Sequence, residues 1–163
     1  MTIWVDSKEH AHAIKPILAE FDRQGVQHFV SKLPQADYMS LDNPMLLIDR
    51  KRILELTRNV IPPDLSRFAA ELERAKKYGQ HIVVLCENDD GITCLNDVIH
   101  WKNPRLKQSP MAVSGERLFR ILSTMQNNHE KYDVEFQFCD KKDTGKRIIE
   151  ILSEGTNHVE NKT

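Results

Sequence analysis

Residues 45–55 read Met-Leu-Leu-Ile-Asp-Arg-Lys-Arg-Ile-Leu-Glu, an apolar run that passes without a break into Asp49, Arg50, Lys51 and Arg52. Bounded upstream by Asp42-Asn43-Pro44, residues 45–49 have the length and composition of a buried strand. Side chains alternate along a strand, so Asp49 and Lys51 point to one side while Ile48 and Arg50 point to the other. A carboxylate and an ammonium therefore share one surface at a strand end, where open α/β sheets place their ligand sites.

Outward from this stretch, helical and extended patterns alternate. Ile53, Leu54, Leu56 and Val60 follow helical spacing, Pro62-Pro63 interrupts it, and Leu65, Phe68, Ala69, Leu72 and Ala75 resume it up to Tyr78-Gly79. Residues 81–86 are almost wholly apolar and β-branched, as in a central strand. Upstream, residues 3–5 form a short strand ending at Asp6. Ala13, Ile14, Ile17, Leu18 and Phe21 mark a helix, and residues 26–33 and 36–41 suit two more strands. Downstream, residues 88–110 are polar, with Gly91, Pro104 and Pro110, and are expected to be a functional loop. Ser114 caps a helix with Leu118, Ile121, Leu122 and Met125 inward, residues 133–138 alternate as a strand, and Thr144 opens a last helix. The pattern predicts one α/β domain over residues 1–152, with a flexible polar tail over 153–163.

A chain of 163 residues matches a single domain of ordinary size. Its 23 Lys and Arg against 24 Asp and Glu leave a net charge of -1, which gives no global attraction to a polyanion. DNA binding would need a local patch or a metal. Cys86, Cys94 and Cys139 cannot all pair and form no C-x-x-C, which excludes a disulfide scaffold and a zinc site and points to a reducing compartment. No apolar run approaches the ~18 residues of a membrane span, and no membrane partner is expected. Neither nucleotide-binding glycine fingerprint is present, and the histidines lack metal-ligand spacing.

Two carboxylates on neighbouring strands with a lysine beside them suit metal-assisted phosphodiester cleavage. Hard divalent ions take oxygen ligands and offset the charge that builds on the phosphate, while the lysine orients or helps deprotonate the attacking water. Asp37, at a turn, and Asp49-Arg50-Lys51 supply these types, although the same charge run also fits a solvated strand end. Asp6, at another strand end, adds a third acid. Glu9 either joins it or caps the first helix. Lys102, Arg105 and Lys107 follow Trp101 in the polar segment, where they either meet phosphates while the indole stacks on a base, or decorate a solvated loop around a half-buried Trp.

Val5-Asp6-Ser7-Lys8-Glu9, Ala36-Asp37-Tyr38, Leu47-Ile48-Asp49-Arg50-Lys51 with Glu55, Arg67-Phe68 and the strand ending at Glu87 resemble, in order and separation, the blocks of the XPF-type nuclease domain. The resemblance covers almost the whole chain. It implies a restriction-endonuclease-like, PD-(D/E)xK fold with a central mixed sheet flanked by helices. It also implies a Mg²⁺- or Mn²⁺-dependent DNA endonuclease acting on branched, flap or fork structures in repair, recombination or replication. Asp37 would be the first metal-binding aspartate, Asp49 would stand in the glutamate's place beside Arg50 and the catalytic Lys51, and Asp6 would join the metal. Glu9, Glu55, Arg67 and Glu87 would be auxiliary to the site, with Arg67 also meeting DNA. Ala36 replaces a glycine, Asp49 and Glu55 exchange the usual glutamate and aspartate, and Glu71 replaces a glutamine.

Family members usually continue into tandem helix-hairpin-helix modules. The chain is accordingly expected to be a standalone domain of the phage or mobile-element kind, acting in the cytoplasm of a prokaryotic or infected cell, or in the nucleus of a eukaryote. It would dimerise through its last two helices or borrow its DNA grip from a partner protein. A non-catalytic DNA- or protein-binding module and a Holliday-junction resolvase on the same fold are the alternatives.

Overall fold

Leu46, Leu47 and Ile48 are all buried, and the strand they anchor outlasts the apolar run, extending as β4 over Asn43–Arg52. The computed structural model describes residues 1–160, with side chains through Gly155. β4 pairs in parallel with β5 (His81–Asn88), which pairs in parallel with β6 (Val134–Asp140). On its other side β4 meets the short β3 (Tyr38–Ser40) antiparallel, β3 meets β1 (Thr2–Asp6) antiparallel, and β2 (Gln27–Ser31) lies parallel to β1. The order is β2-β1-β3-β4-β5-β6, a mixed sheet in which β3 runs against both neighbours.

Alternation divides each strand between two cores. On one face Ile3, Val5, Tyr38, Ile48, Val83 and Leu85 pack against Ile14, Ile17 and Phe21 of α1 (Ala11–Arg23) and Ile148 and Leu152 of α5 (Thr144–Glu160). On the other, Leu47, Val84, Cys86, Phe136 and Phe138 meet Leu56 of α2 (Ile53–Asn59), Phe68 and Leu72 of α3 (Leu65–Lys77), and Leu118 and Leu122 of α4 (Gly115–Asn127). Ser114 caps α4 as expected, its Oγ accepting from Arg117 N–H at 3.2 Å.

Two expectations change. The segment after β5 contains short 3-10 helices over Leu95–His100 and Pro104–Lys107, tied down by Asn88 to Ile92 and by the Asn103 amide donating to Val113 O at 2.9 Å. Gly115 lets this segment lie directly on the start of α4, since a Cβ there would sit 2.3 Å from Trp101 O. The expected tail is also helical for most of its length: α5 continues through Glu160, and Gly155 packs so closely on β4 that a Cβ would meet Leu46 Cδ2 at 2.3 Å. Residues 161–163 lie outside the described residues. Among the described residues, no helix is long and apolar enough to cross a membrane.

Candidate active site

Register builds the site. Val5 and Ile48 both pair with Tyr38, so one residue further along each strand Asp6, Asp37 and Asp49 stand side by side across β1, β3 and β4. Main-chain bonds extend the ladder this far, with Asp37 N–H donating to Ile48 O at 2.9 Å and Asp6 N–H to Asp37 O at 2.8 Å. By parity the three side chains face the α2–α4 layer, as does Lys51. Ala36 makes the turn that delivers Asp37, at φ 59°, in the left-handed region. Glycine adopts that conformation freely, whereas alanine holds it at a cost of about 1–2 kcal/mol. Ala36 therefore occupies a position whose geometry favours glycine.

A cleft of about 1000 Å³ opens over this end of the sheet, lined by Asp6, Glu9, Asp37, Asp49, Arg50, Lys51, Glu55 and Glu87, among others. Within it the charges separate by face. Asp49 Oδ2 lies 3.2 Å from Lys51 Nζ, and the ammonium sits 5.2 Å from the centre of the Phe68 ring, a cation–π contact that fixes the lysine further. Asp37 lies against Asp49, and one of its oxygens, Oδ2, accepts from Arg50 N–H at 2.8 Å. Burial, reinforced by the negative charges of Asp49 and Glu9, drives the Asp37 carboxyl well above the ordinary carboxylate range. Burial pulls the Lys51 ammonium down, but Asp49, Glu55 and Asp37 together outweigh it and hold the lysine protonated.

Through the sheet, Arg50 faces the α1–α5 layer. Its Nε donates to Glu9 Oε2 and its Nη1 to Glu87 Oε1, both at 2.7 Å, with all three side chains at least nine-tenths buried. Tyr38 Oη donates to Glu9 Oε2 and Thr144 Oγ1 to Glu87 Oε2, each at 2.8 Å. These bonds tie the groups together, and because two carboxylates meet one guanidinium, negative charge is left over, that of Glu9 reaching Asp37.

The donor set of the open face fits a hard divalent ion. Two carboxylates crowd together with one ammonium for compensation, and Mg²⁺ is commonly held by one or two carboxylates plus water and substrate phosphate. Asp37 and Asp49 would hold it. Asp6 lines the same cleft: its Oδ1 accepts from Leu33 N–H at 2.9 Å, and its buried Oδ2 has no hydrogen-bond partner, only Lys8 Nζ at 3.9 Å. Among the described residues no three His, Cys, Asp or Glu side chains form a ligand cluster.

A family model of the ERCC4 domain matches residues 5–146. The chain belongs to the ERCC4 domain family. The matched span carries both charge clusters, from Asp6 to Thr144. Among solved structures, the chain is similar to XPF from Aeropyrum pernix at a TM-score of 0.68 and 16% identity, over 99% of this chain and 68% of that one. A second structure, XPF from Aeropyrum pernix in complex with DNA, matches at a TM-score of 0.66 and 17% identity, over 96% and 65% of the respective chains. These likenesses establish the fold, the restriction-endonuclease-like arrangement of the XPF nuclease domain. No curated protein matches the chain.

Within this ERCC4 domain, Asp37, Asp49, Lys51 and Glu55 come together as expected. Arg50, expected among the catalytic residues, and Glu9 and Glu87, expected as auxiliaries, also line the cleft, with their charged groups paired with one another. Arg67 is not brought to the cleft: it is exposed, 3.6 Å from Asp64, because Phe68 and Leu72 turn the inward stripe of α3 away from it. Glu71 and Arg74 from that helix line the cleft instead. Trp101 is buried, with Nε1–H donating to Asp90 Oδ2 at 2.8 Å, and so acts as a wall of the cleft rather than a stacking surface. Of the basic residues after it, Arg105 lines the cleft, while the exposed Lys102 and Lys107 do not. Sequence reading missed Tyr38 and Thr144 as network members, and Arg52, Arg58 and Lys141 as cleft cations. Of these, Thr144 had a local signal in its place at a helix start, and Arg52 and Lys141 in the charged runs that hold them.

Removing Arg50 should strand two buried carboxylates. Arg50→Met is expected to lose about 3–5 kcal/mol in denaturant unfolding, and adding Glu9→Gln and Glu87→Gln to restore part of it. Equal stability of the single and triple variants would contradict the network. Asp37 sets a second test, in metal-free buffer. Because its folded carboxyl titrates above its unfolded value, stability is fully present below the ordinary carboxylate range and is lost as pH rises through the raised value. Asp37→Asn, whose amide oxygen can still accept from Arg50 N–H, should lack that decline and be the more stable protein at neutral pH. Parallel urea midpoints across pH would refute the assignment.

Proposed function

We propose that this ERCC4 domain is a divalent-metal-dependent DNA endonuclease that hydrolyses phosphodiester bonds in branched or flapped DNA. The observation that supports this most strongly is the convergence of Asp37, Asp49 and Lys51 on one face of the sheet, inside a cleft of about 1000 Å³. Mg²⁺ or Mn²⁺ bound by Asp37 and Asp49 would supply charge neutralisation for the phosphate and a more acidic water.

The chain's own groups divide the remaining work. Lys51 stays protonated, so it donates hydrogen bonds to the attacking water or to a phosphate oxygen and does not begin as the base. Phe68 and Asp49 fix the direction of that donation. Arg52, Arg58, Arg74, Arg105 and Lys141 line the cleft with no ion pair among the described residues. They provide the local cationic track that a net charge of -1 does not.

The purified protein with Mg²⁺ is expected to cut at least one of flap, fork, nicked, four-way and linear DNAs, with cut sites mapped on gels. Asp49→Ala and Lys51→Ala should each lower the single-turnover rate by roughly 100-fold or more while leaving DNA affinity largely intact. Absence of cleavage on every substrate, or equal rates for these variants, would favour a non-catalytic DNA-binding module.

A further inference from the structure

One aromatic pair stands beside the cleft with no part in the chemistry above. Trp4 of β1 and Phe29 of β2 are register partners, and their rings stack at 5.6 Å between centroids and 29° between planes. Trp4 Nε1–H donates to Ser31 O at 3.2 Å, which holds the indole in place. Alternation puts this pair on the same sheet face as Asp6, two residues and roughly 6.6 Å further along β1. On that face α2, α3 and α4 pack over β4, β5 and β6, and Trp4 packs half-buried against the edge of the core they cover. Phe29 is left 39% exposed. The exposed Lys8 and Lys32 follow the ends of β1 and β2, where Ser7 N–H bonds Ser31 O, and Lys8 itself lines the cleft.

We propose that Trp4 and Phe29 form a stacking platform for an unpaired nucleotide of the DNA substrate, continuous with the cleft through Asp6 and Lys8. The inference rests on the nuclease reading. An aromatic face stacks bases with little regard to sequence, and Lys8 and Lys32 meet the phosphates of the same strand. Continuous duplex, whose bases already stack on one another, gains nothing from the platform. It would therefore select DNA carrying a single-stranded arm.

The test compares wild type, Phe29→Ala and Phe29→Leu in metal-free buffer, by fluorescence anisotropy on a flap DNA and on a duplex of the same length. Thermal unfolding serves as the check on folding. Phe29→Ala should weaken flap binding by roughly 5- to 100-fold and leave duplex binding unchanged. Phe29→Leu keeps apolar bulk without an aromatic face and should be nearly as weak. No loss, an equal loss on both DNAs, or full recovery with leucine overturns the platform while leaving the nuclease reading standing. A shift from dimer to monomer in Phe29→Ala, seen by light scattering, would assign the pair to a second copy of the chain and also overturn it. Failure of the wild type to bind either DNA would overturn both.

Discussion

Arg50 carries a buried positive charge, and a buried charge survives only when opposite charges and hydrogen bonds surround it. Here its guanidinium bridges Glu9, in the turn after β1, and Glu87, at the end of β5, while Tyr38 of β3 and Thr144 of α5 complete the two carboxylates. One side chain thus ties together the turn before α1, three strands and the start of α5. Its main-chain N–H, pointing along the sheet, holds Asp37 Oδ2. The residue that locks one face of β4 therefore also positions an acid of the other.

The division of charge across β4 gives the site its character. Behind the strand, two acids meet one arginine in a hydrogen-bonded network. In front, Asp37 and Asp49 crowd together with Lys51 as their compensation, and Asp37 responds by favouring its neutral form. Under the proposed function, such a pair would exchange a proton for a hard cation. The near-neutral net charge conceals this arrangement, because an acidic centre and a rim of cations that form no ion pair among the described residues cancel in the sum.

The strand at Leu46, Leu47 and Ile48 was legible because burial on both faces demands a continuous apolar run, and the shared side of Asp49 and Lys51 followed from alternation alone. Asp37 was offered by its place at a turn, and the resemblance gave it the role of a metal-binding aspartate. Helix phase explains why Arg67 misses the cleft. Arg67 lies on α3, and nothing local says how that helix rotates on the sheet. The stripe of Phe68, Leu72 and Ala75 turns it outward and brings Arg74 in. The pairing of Arg50 with Glu9 and Glu87 joins residues 41 and 37 positions away, a closure that only the folded sheet defines. Polarity after Leu152 suggested a tail, but polar residues continue a helix readily when one face still meets the sheet, as Gly155 does at Leu46.

The central claim is that Asp37 and Asp49 form a cation site distinct from the paired network behind them. Calorimetric titration of Mn²⁺ into wild type, Asp37→Asn and Glu9→Gln, repeated in buffers of different ionisation enthalpy, tests it most directly. Binding to wild type should release protons and tighten with rising pH, Asp37→Asn should lose it, and Glu9→Gln should retain it. Undiminished binding to Asp37→Asn, or loss of binding in Glu9→Gln alone, would contradict the claim.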